Sequence, residues 1–151
     1  MTPQQALARL QGQCSKAEYC TGQIRKRLER WEILPEQMGE IIAALVKDKF
    51  VDDFRFASAY VRDKARFAKW GRRKIAYNLK MLGIAANLVQ EALDENGDLF
   101  SEEVLEELLR RKWNSLGEKD TVAVKREKVL RFGLGRGYGY DQILPIIKRM
   151  G

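Results

Sequence analysis

Residues 72–89 read RRKIAYNLKMLGIAANLV, and residues 21–38 read TGQIRKRLERWEILPEQM. Laid over each other at an offset of 51, they place Ile75 on Ile24, Leu79 on Leu28, Ile84 on Ile33 and Val89 on Met38. The first two apolar positions of each stretch are four apart, so they share one face of a helix. The same offset relates Ala57 and Val61 to Ala6 and Leu10. Chance amphipathicity does not hold one offset over six positions, so the chain repeats itself. A third copy follows at a further offset of 54 with Val129, Tyr138 and Ile143, and it carries Gly133 where the others have an inner Leu.

Working outward, each copy resolves into three helices. Thr2, Pro3 and Gln5 have the N-cap, first-turn and capping-box places of a helix running to about Cys14. A second spans about Thr21 to Trp31. A third begins at Leu34-Pro35 and shows Met38, Ile41, Ile42, Leu45 and Val46, an i, i+3, i+4, i+7, i+8 stripe. Asp52-Asp53 caps a fourth, and Gly71 breaks it. A fifth runs from about Arg72 to Leu82 with Gly83 just past its end. A sixth covers about Ala86 to Asp94, and Asn96-Gly97-Asp98 is a turn. Ser101, Glu102 and Glu103 open a seventh, an eighth runs from about Asp120 to Phe132, and a ninth from about Tyr140 to Met150. No segment alternates as a strand. The expected fold is all-α, with three tandem three-helix repeats at 1–51, 52–97 and 98–151, about nine helices in all. Such units stack mainly on their neighbours, which predicts an elongated, curved body with one continuous face.

Composition narrows the function. The chain has 151 residues, 45% of them hydrophobic, as a globular protein requires. No stretch approaches a membrane span, and the N-terminus lacks a basic segment followed by an apolar run, so a cytoplasmic protein is expected. Cys14 and Cys20 are read as reduced thiols, because nothing points to an oxidising compartment. Histidine is absent, which removes Ser-His and Cys-His nucleophile pairs and the side chain that titrates near neutrality. No cofactor or metal is expected. The chain is read as a monomer without catalytic residues.

Twenty-eight Lys and Arg stand against 21 Asp and Glu, a surplus of +7 that predicts attraction to a polyanion. Between Arg62 and Lys80 eight basic residues face one acid, Asp63, so this short segment alone carries the equivalent of the whole surplus. They include Lys64, Arg66, Lys69, Arg72, Arg73, Lys74 and Lys80, with Phe67, Trp70 and Tyr77 interleaved. Arg25, Lys26, Arg27 and Arg30 occupy the middle helix of the first repeat, and Lys125, Arg126, Lys128, Arg131 and Arg136 that of the third. The expectation is that every repeat carries its bases on its middle helix and that stacking joins them into a stripe for phosphates, beside aromatics suited to exposed nucleobases. The plainer alternative is solvated helix faces, with Trp70 and Tyr77 in the core. Asp94, Glu95, Asp98, Glu102, Glu103, Glu106 and Glu107 form an acidic counterpart, a solvated turn and helix face or a patch for a basic partner surface.

Two motifs are weak. Residues 133–139, GLGRGYG, follow a helix rather than a strand and lack a following Gly-Lys-Ser/Thr, so they are read as interhelical turns and not as a phosphate loop. Asp52-Asp53 is the one carboxylate pair that an unusual nuclease could use, and helix capping accounts for it.

Several blocks resemble one family. Val51-Asp52-Asp53-Phe54-Arg55-Phe56-Ala57 is similar to the Asp-Asp-x-x-Phe/Tyr-Ala signature of RecX regulatory proteins. A basic helix follows, then Gly71-Arg72-Arg73-Lys74-Ile75 and Leu79-Lys80-Met81-Leu82-Gly83-Ile84, in the family's order. Ile24-Arg25-Lys26-Arg27-Leu28 resembles its Glu-Leu-Arg-x-Lys-Leu segment, with Gln23 where an acid is common. Arg131-Phe132 and Arg136-Gly137-Tyr138 resemble its Arg-Phe-Leu-x-x-Arg-Gly-Tyr/Phe stretch, with Gly133 at a usually apolar position. The resemblance implies a modulator, mostly an inhibitor, of the RecA recombinase. It would bind the RecA filament on single-stranded DNA, block its strand-exchange, ATPase and coprotease functions, and so act in recombination and the SOS response. The charge clusters above, rather than the resemblance, nominate the surface for filament or DNA: Arg25, Lys26, Arg30, Lys64, Arg66, Lys69, Arg72, Arg73, Lys74, Lys80, Arg126, Arg131 and Arg136. The competing reading is a stand-alone basic helical nucleic-acid-binding protein acting without RecA.

Overall fold

The computed structural model describes all residues, 1–151. It is all-helical: α1 (Pro3–Cys14), α2 (Thr21–Arg30), α3 (Pro35–Lys47), α4 (Asp53–Arg66), α5 (Arg72–Met81), α6 (Ala86–Glu95), α7 (Glu102–Ser115), α8 (Val122–Gly135) and α9 (Tyr140–Lys148). A 3₁₀ turn, Gly97–Phe100, precedes α7 where the sequence suggests only a turn. The chain forms two compact units, Met1–Ala59 with Leu79–Ala92, and Tyr60–Asn78 with Leu93–Gly151; the division falls inside α4, α5 and α6.

The repeat is written in the burial pattern. Ile24, Leu28, Ile33 and Met38 are all buried, and so are Ile75, Leu79, Ile84 and Val89 at the matching places. Val129, Tyr138 and Ile143 complete the third copy. The backbone repeats too. The second residue after each middle helix is left-handed, at Glu32 (φ 57°), Gly83 (φ 87°) and Gly137 (φ 99°). The next amide then donates back to the inner position: Ile33 to the Leu28 carbonyl, Ile84 to Leu79 and Tyr138 to Gly133, each at 3.1 Å. This is the Schellman closure of a helix end, made three times in register.

In the first unit, α1, α2 and α3 bury a core that includes Leu10, Ile24, Leu28, Ile41 and Leu45. Its helix starts are capped in two ways. Thr2 and Gln5 form the expected capping box on α1. At α4 the two acids separate: the Asp52 carboxylate accepts from the Arg55 amide at 2.9 Å, an ordinary N-cap. Asp53 reaches another helix instead, accepting from the Thr21 amide at 2.8 Å and the Thr21 hydroxyl at 2.7 Å. Its negative charge therefore meets the positive end of the α2 dipole. Asp53→Ala is expected to cost about 1–2 kcal/mol in chemical denaturation, with Asn restoring most of it. Stability unchanged by the alanine would show that this carboxylate holds nothing.

In the second unit, α7, α8 and α9 close over Leu105, Leu109, Val129, Ile143, Ile146 and Ile147. Here the reading of residues 133–139 as turns is corrected. Gly133 and Gly135 lie within α8, and Gly133 is buried. A Cβ on Gly133 would stand 2.7 Å from Ile143 Cδ1 and 3.2 Å from Leu109 Cδ2. The missing Leu of the third copy is thus replaced by the side chains of its neighbours, which lets α8 pack close to α7 and α9.

Candidate nucleic-acid interface

The predicted cations divide by what they touch. Arg25, Lys26 and Arg30 lie exposed on α2 of the first unit, and Lys80 lies exposed near the end of α5. None of the four makes a side-chain hydrogen bond or an ion pair. Their neighbour Arg27 behaves differently, stacking 4.1 Å over Tyr19 and donating to the Gln13 side-chain carbonyl.

The second unit holds the rest. The expectation that each repeat keeps its bases on its middle helix is corrected for the second copy. Lys64 and Arg66 end α4, Lys69 lies in the α4–α5 turn, and only Arg72, Arg73, Lys74 and Lys80 belong to α5. The segment is still brought together, because the start of α5 and the turn before it pack on the α8–α9 turn. The Gly71 amide donates to the Arg136 carbonyl at 2.6 Å, and the Arg73 amide to the Gly137 carbonyl at 3.2 Å. Lys74 Nζ donates to the Gly135 carbonyl, and Arg136 Nη1 to the Ala68 carbonyl at 2.6 Å. Arg136 also lies 5.0 Å over the Phe132 ring.

Several cations are therefore structural as well as charged. Lys64 and Lys74 place their ammonium groups 4.8 and 4.6 Å from the centre of the Trp70 ring, which meets Tyr60 edge-on. Each such contact contributes about 0.5–1 kcal/mol at a partly exposed site. Arg72 lies 4.9 Å over Phe100 and 3.8 Å from the Asp94 carboxylate. Arg126 donates to the Met150 carbonyl, and Arg131 pairs with Glu127 at 2.5 Å. Arg66, Lys69 and Arg73 remain exposed, and their side chains make neither a hydrogen bond nor an ion pair. The aromatics separate in the same manner. Trp70 is half-buried under its lysines, while Phe67 is 82% and Tyr77 63% exposed.

The acidic segment is largely used within the chain. Glu106 pairs with Arg110, Glu107 with Arg111, and Arg149 reaches Glu102 and Glu106. Burial pushes the thiols of Cys14 and Cys20 above their ordinary range, most simply as protonated, unpaired groups. The Cys20 thiol points at the Leu82 carbonyl, 3.6 Å away. No helix is long and apolar enough to cross a membrane.

Residues 52–93 match the family model of the RecX second three-helix domain, and residues 101–147 that of the third. The chain belongs to the RecX family. The protein named regulatory protein RecX of Clostridium acetobutylicum is 30% identical over 132 residues, covering 85% of this chain and 60% of that protein. Its namesake in a Clostridium botulinum strain is 31% identical over 128 residues, covering 83% and 59%. The chain thus spans about 60% of the length of these RecX relatives. The crystal structure of RecX from Lactobacillus salivarius has the same fold, with a TM-score of 0.85 at 24% identity over 98% of this chain and 96% of that one. A second RecX crystal structure superposes with a TM-score of 0.78 at 20% identity, over 97% and 71%. The RecX helical repeat is therefore the architecture of this chain, and its relatives carry the name of regulatory proteins.

Proposed function

We propose that this chain binds the RecA filament assembled on single-stranded DNA and modulates it, mostly by inhibition of recombinase, ATPase and coprotease activity. The reading is carried by one observation in a member of the RecX family. Seven predicted site cations, Arg25, Lys26, Arg30, Arg66, Lys69, Arg73 and Lys80, are exposed and spend their charge on no partner within the chain. Lys64, Arg72, Lys74, Arg126, Arg131 and Arg136 add positive potential from anchored positions. Repeats at 1–51, 52–97 and 98–151 supply rigid helical supports for these groups, so little side-chain order is lost on docking beyond the cations themselves.

Inhibition needs more than attraction. The chain must favour one state of the filament over another, since equal affinity for both shifts nothing. The test is RecA ATPase and strand-exchange turnover with this protein present well below one copy per recombinase protomer. Both rates should fall. Unaltered turnover, with binding to naked DNA as tight as to the filament, would overturn the proposal in favour of a stand-alone DNA-binding protein.

A further inference from the structure

We propose that the α4–α5 turn holds one unstacked base of a single-stranded polynucleotide, with Phe67 as its stacking surface. The inference rests on the reading above that this basic surface meets DNA, and it deepens that reading by naming what is gripped. Phe67 is the most exposed large apolar side chain of the protein, at 82%. It is not presented on a loose loop. Its amide donates to the Asp63 carbonyl at 2.9 Å, and the turn is closed by the Trp70 amide on the Lys64 carbonyl at 3.0 Å. Between them Lys69 takes a left-handed conformation, φ 59°, which a non-glycine residue adopts only when its surroundings impose it. Trp70 is held in turn by the ammonium groups of Lys64 and Lys74. The Phe67 ring is thus offered to solvent from a fixed support.

Beside this turn lies a pocket of about 180 Å³ lined by Lys69, Val104, Glu107, Leu108 and Arg111. It is smaller than the sites that take drug-sized ligands. Val104 and Leu108, one helical turn apart on α7, give it an apolar floor. Lys69 brings positive charge to its edge, while Arg111 and the Glu107 carboxylate pair with each other there at 3.1 Å. A base, flat and apolar on its faces with a phosphate at its side, suits the exposed Phe67 ring and the cations of this turn. Charge decides against an ordinary protein side chain as the occupant: eight basic residues and one acid lie between Arg62 and Lys80, and Arg66 and Lys69 flank the ring without partners. Aromatic stacking combined with a cationic track is how single strands are held without sequence preference.

The experiment measures binding of the full chain to a labelled short oligothymidylate and to an abasic strand with the same number of phosphates. The wild type should prefer the strand with bases. Phe67→Ala and Phe67→Leu should lose about tenfold on that strand, with Phe67→Trp close to wild type and abasic binding unchanged throughout. Because the ring is exposed, circular dichroism should not move. Equal wild-type affinity for the two strands, or a Phe67→Ala variant indistinguishable from wild type on oligothymidylate, would overturn the subsite. So would a variant impaired only toward the RecA filament, which would make Phe67 an anchor for protein. A Phe67 effect on the bare strand that persists while RecA turnover is untouched would support the subsite and separate its fate from the RecA reading.

Discussion

Replacing Arg66, Lys69 and Arg73 together by alanine is expected to reduce affinity for single-stranded DNA, bare or in a RecA filament, by about 100-fold at 0.1 M salt. Each phosphate contact on a single strand contributes roughly 0.7 to the slope of log affinity against log salt, so three lost contacts lower that slope by about 2. These three residues isolate the effect because none of their side chains has a hydrogen-bond or ion-pair partner within the chain. Arg72 and Lys74 are poorer choices. The first is stacked on Phe100 and close to Asp94, and the second covers Trp70 and holds the Gly135 carbonyl. Changing them would mix loss of binding with loss of packing. Fluorescence anisotropy across a salt series, with far-UV dichroism as the control for folding, is the measurement. A triple variant with the wild-type slope would remove the α4–α5 surface from the interface.

The second large effect is on stability. Gly137→Ala and Gly71→Ala are each expected to destabilise the protein by about 3–5 kcal/mol. Gly137 is left-handed at φ 99°, and a Cβ there would overlap the Lys74 Cβ and lie 2.7 Å from the Lys74 amide nitrogen. A Cβ on Gly71 would stand 2.7 Å from the carbonyl carbon and oxygen of Gly137. Backbone lies on both sides of this approach, so no side chain can rotate away. The same two turns exchange the hydrogen bonds from Gly71 to Arg136 and from Arg73 to Gly137, which a displacement would break. Gly135→Ala is the contrast. Nothing lies within 4 Å of its Cβ position, and it ends a helix, so a gain of about 0.5 kcal/mol is expected. Thermal unfolding of the three variants separates the cases, and a mild Gly137→Ala would show that the turn yields.

Much of this fold is legible in the sequence because one face of each helix repeats. The inner stripe Ile24-Leu28, Ile75-Leu79 and Val129 fixes which side is buried, and Thr2, Pro35 and Ser101 mark helix starts close to where they occur. What local pattern misses depends on residues far along the chain. Gly133 looks like a helix breaker until Leu109 and Ile143 are known to fill the space beside it. Asp53 looks like half of a cap on its own helix, yet its partner is Thr21, 32 residues earlier. Charge along the sequence marks the cations, but it cannot separate Arg136, whose guanidinium binds a carbonyl 68 residues away, from Arg73, whose guanidinium has no hydrogen-bond or ion-pair partner. Nor does an aromatic among bases reveal its own exposure. Trp70 and Phe67 are three residues apart and have opposite fates.

The Asp53 cap also bears on how the chain is made. During synthesis the start of α2 leaves the ribosome well before the carboxylate that completes it. The same helix start is wedged by residue 82, since a Cβ on Gly22 would run into the Leu82 carbonyl. The start of α2 therefore gains its cap and its close neighbour only after residues 53 and 82 have been made. A graft of α1–α3 between homologues is expected to keep this helix start intact when the donor's residue 53 and residues near 82 travel with it.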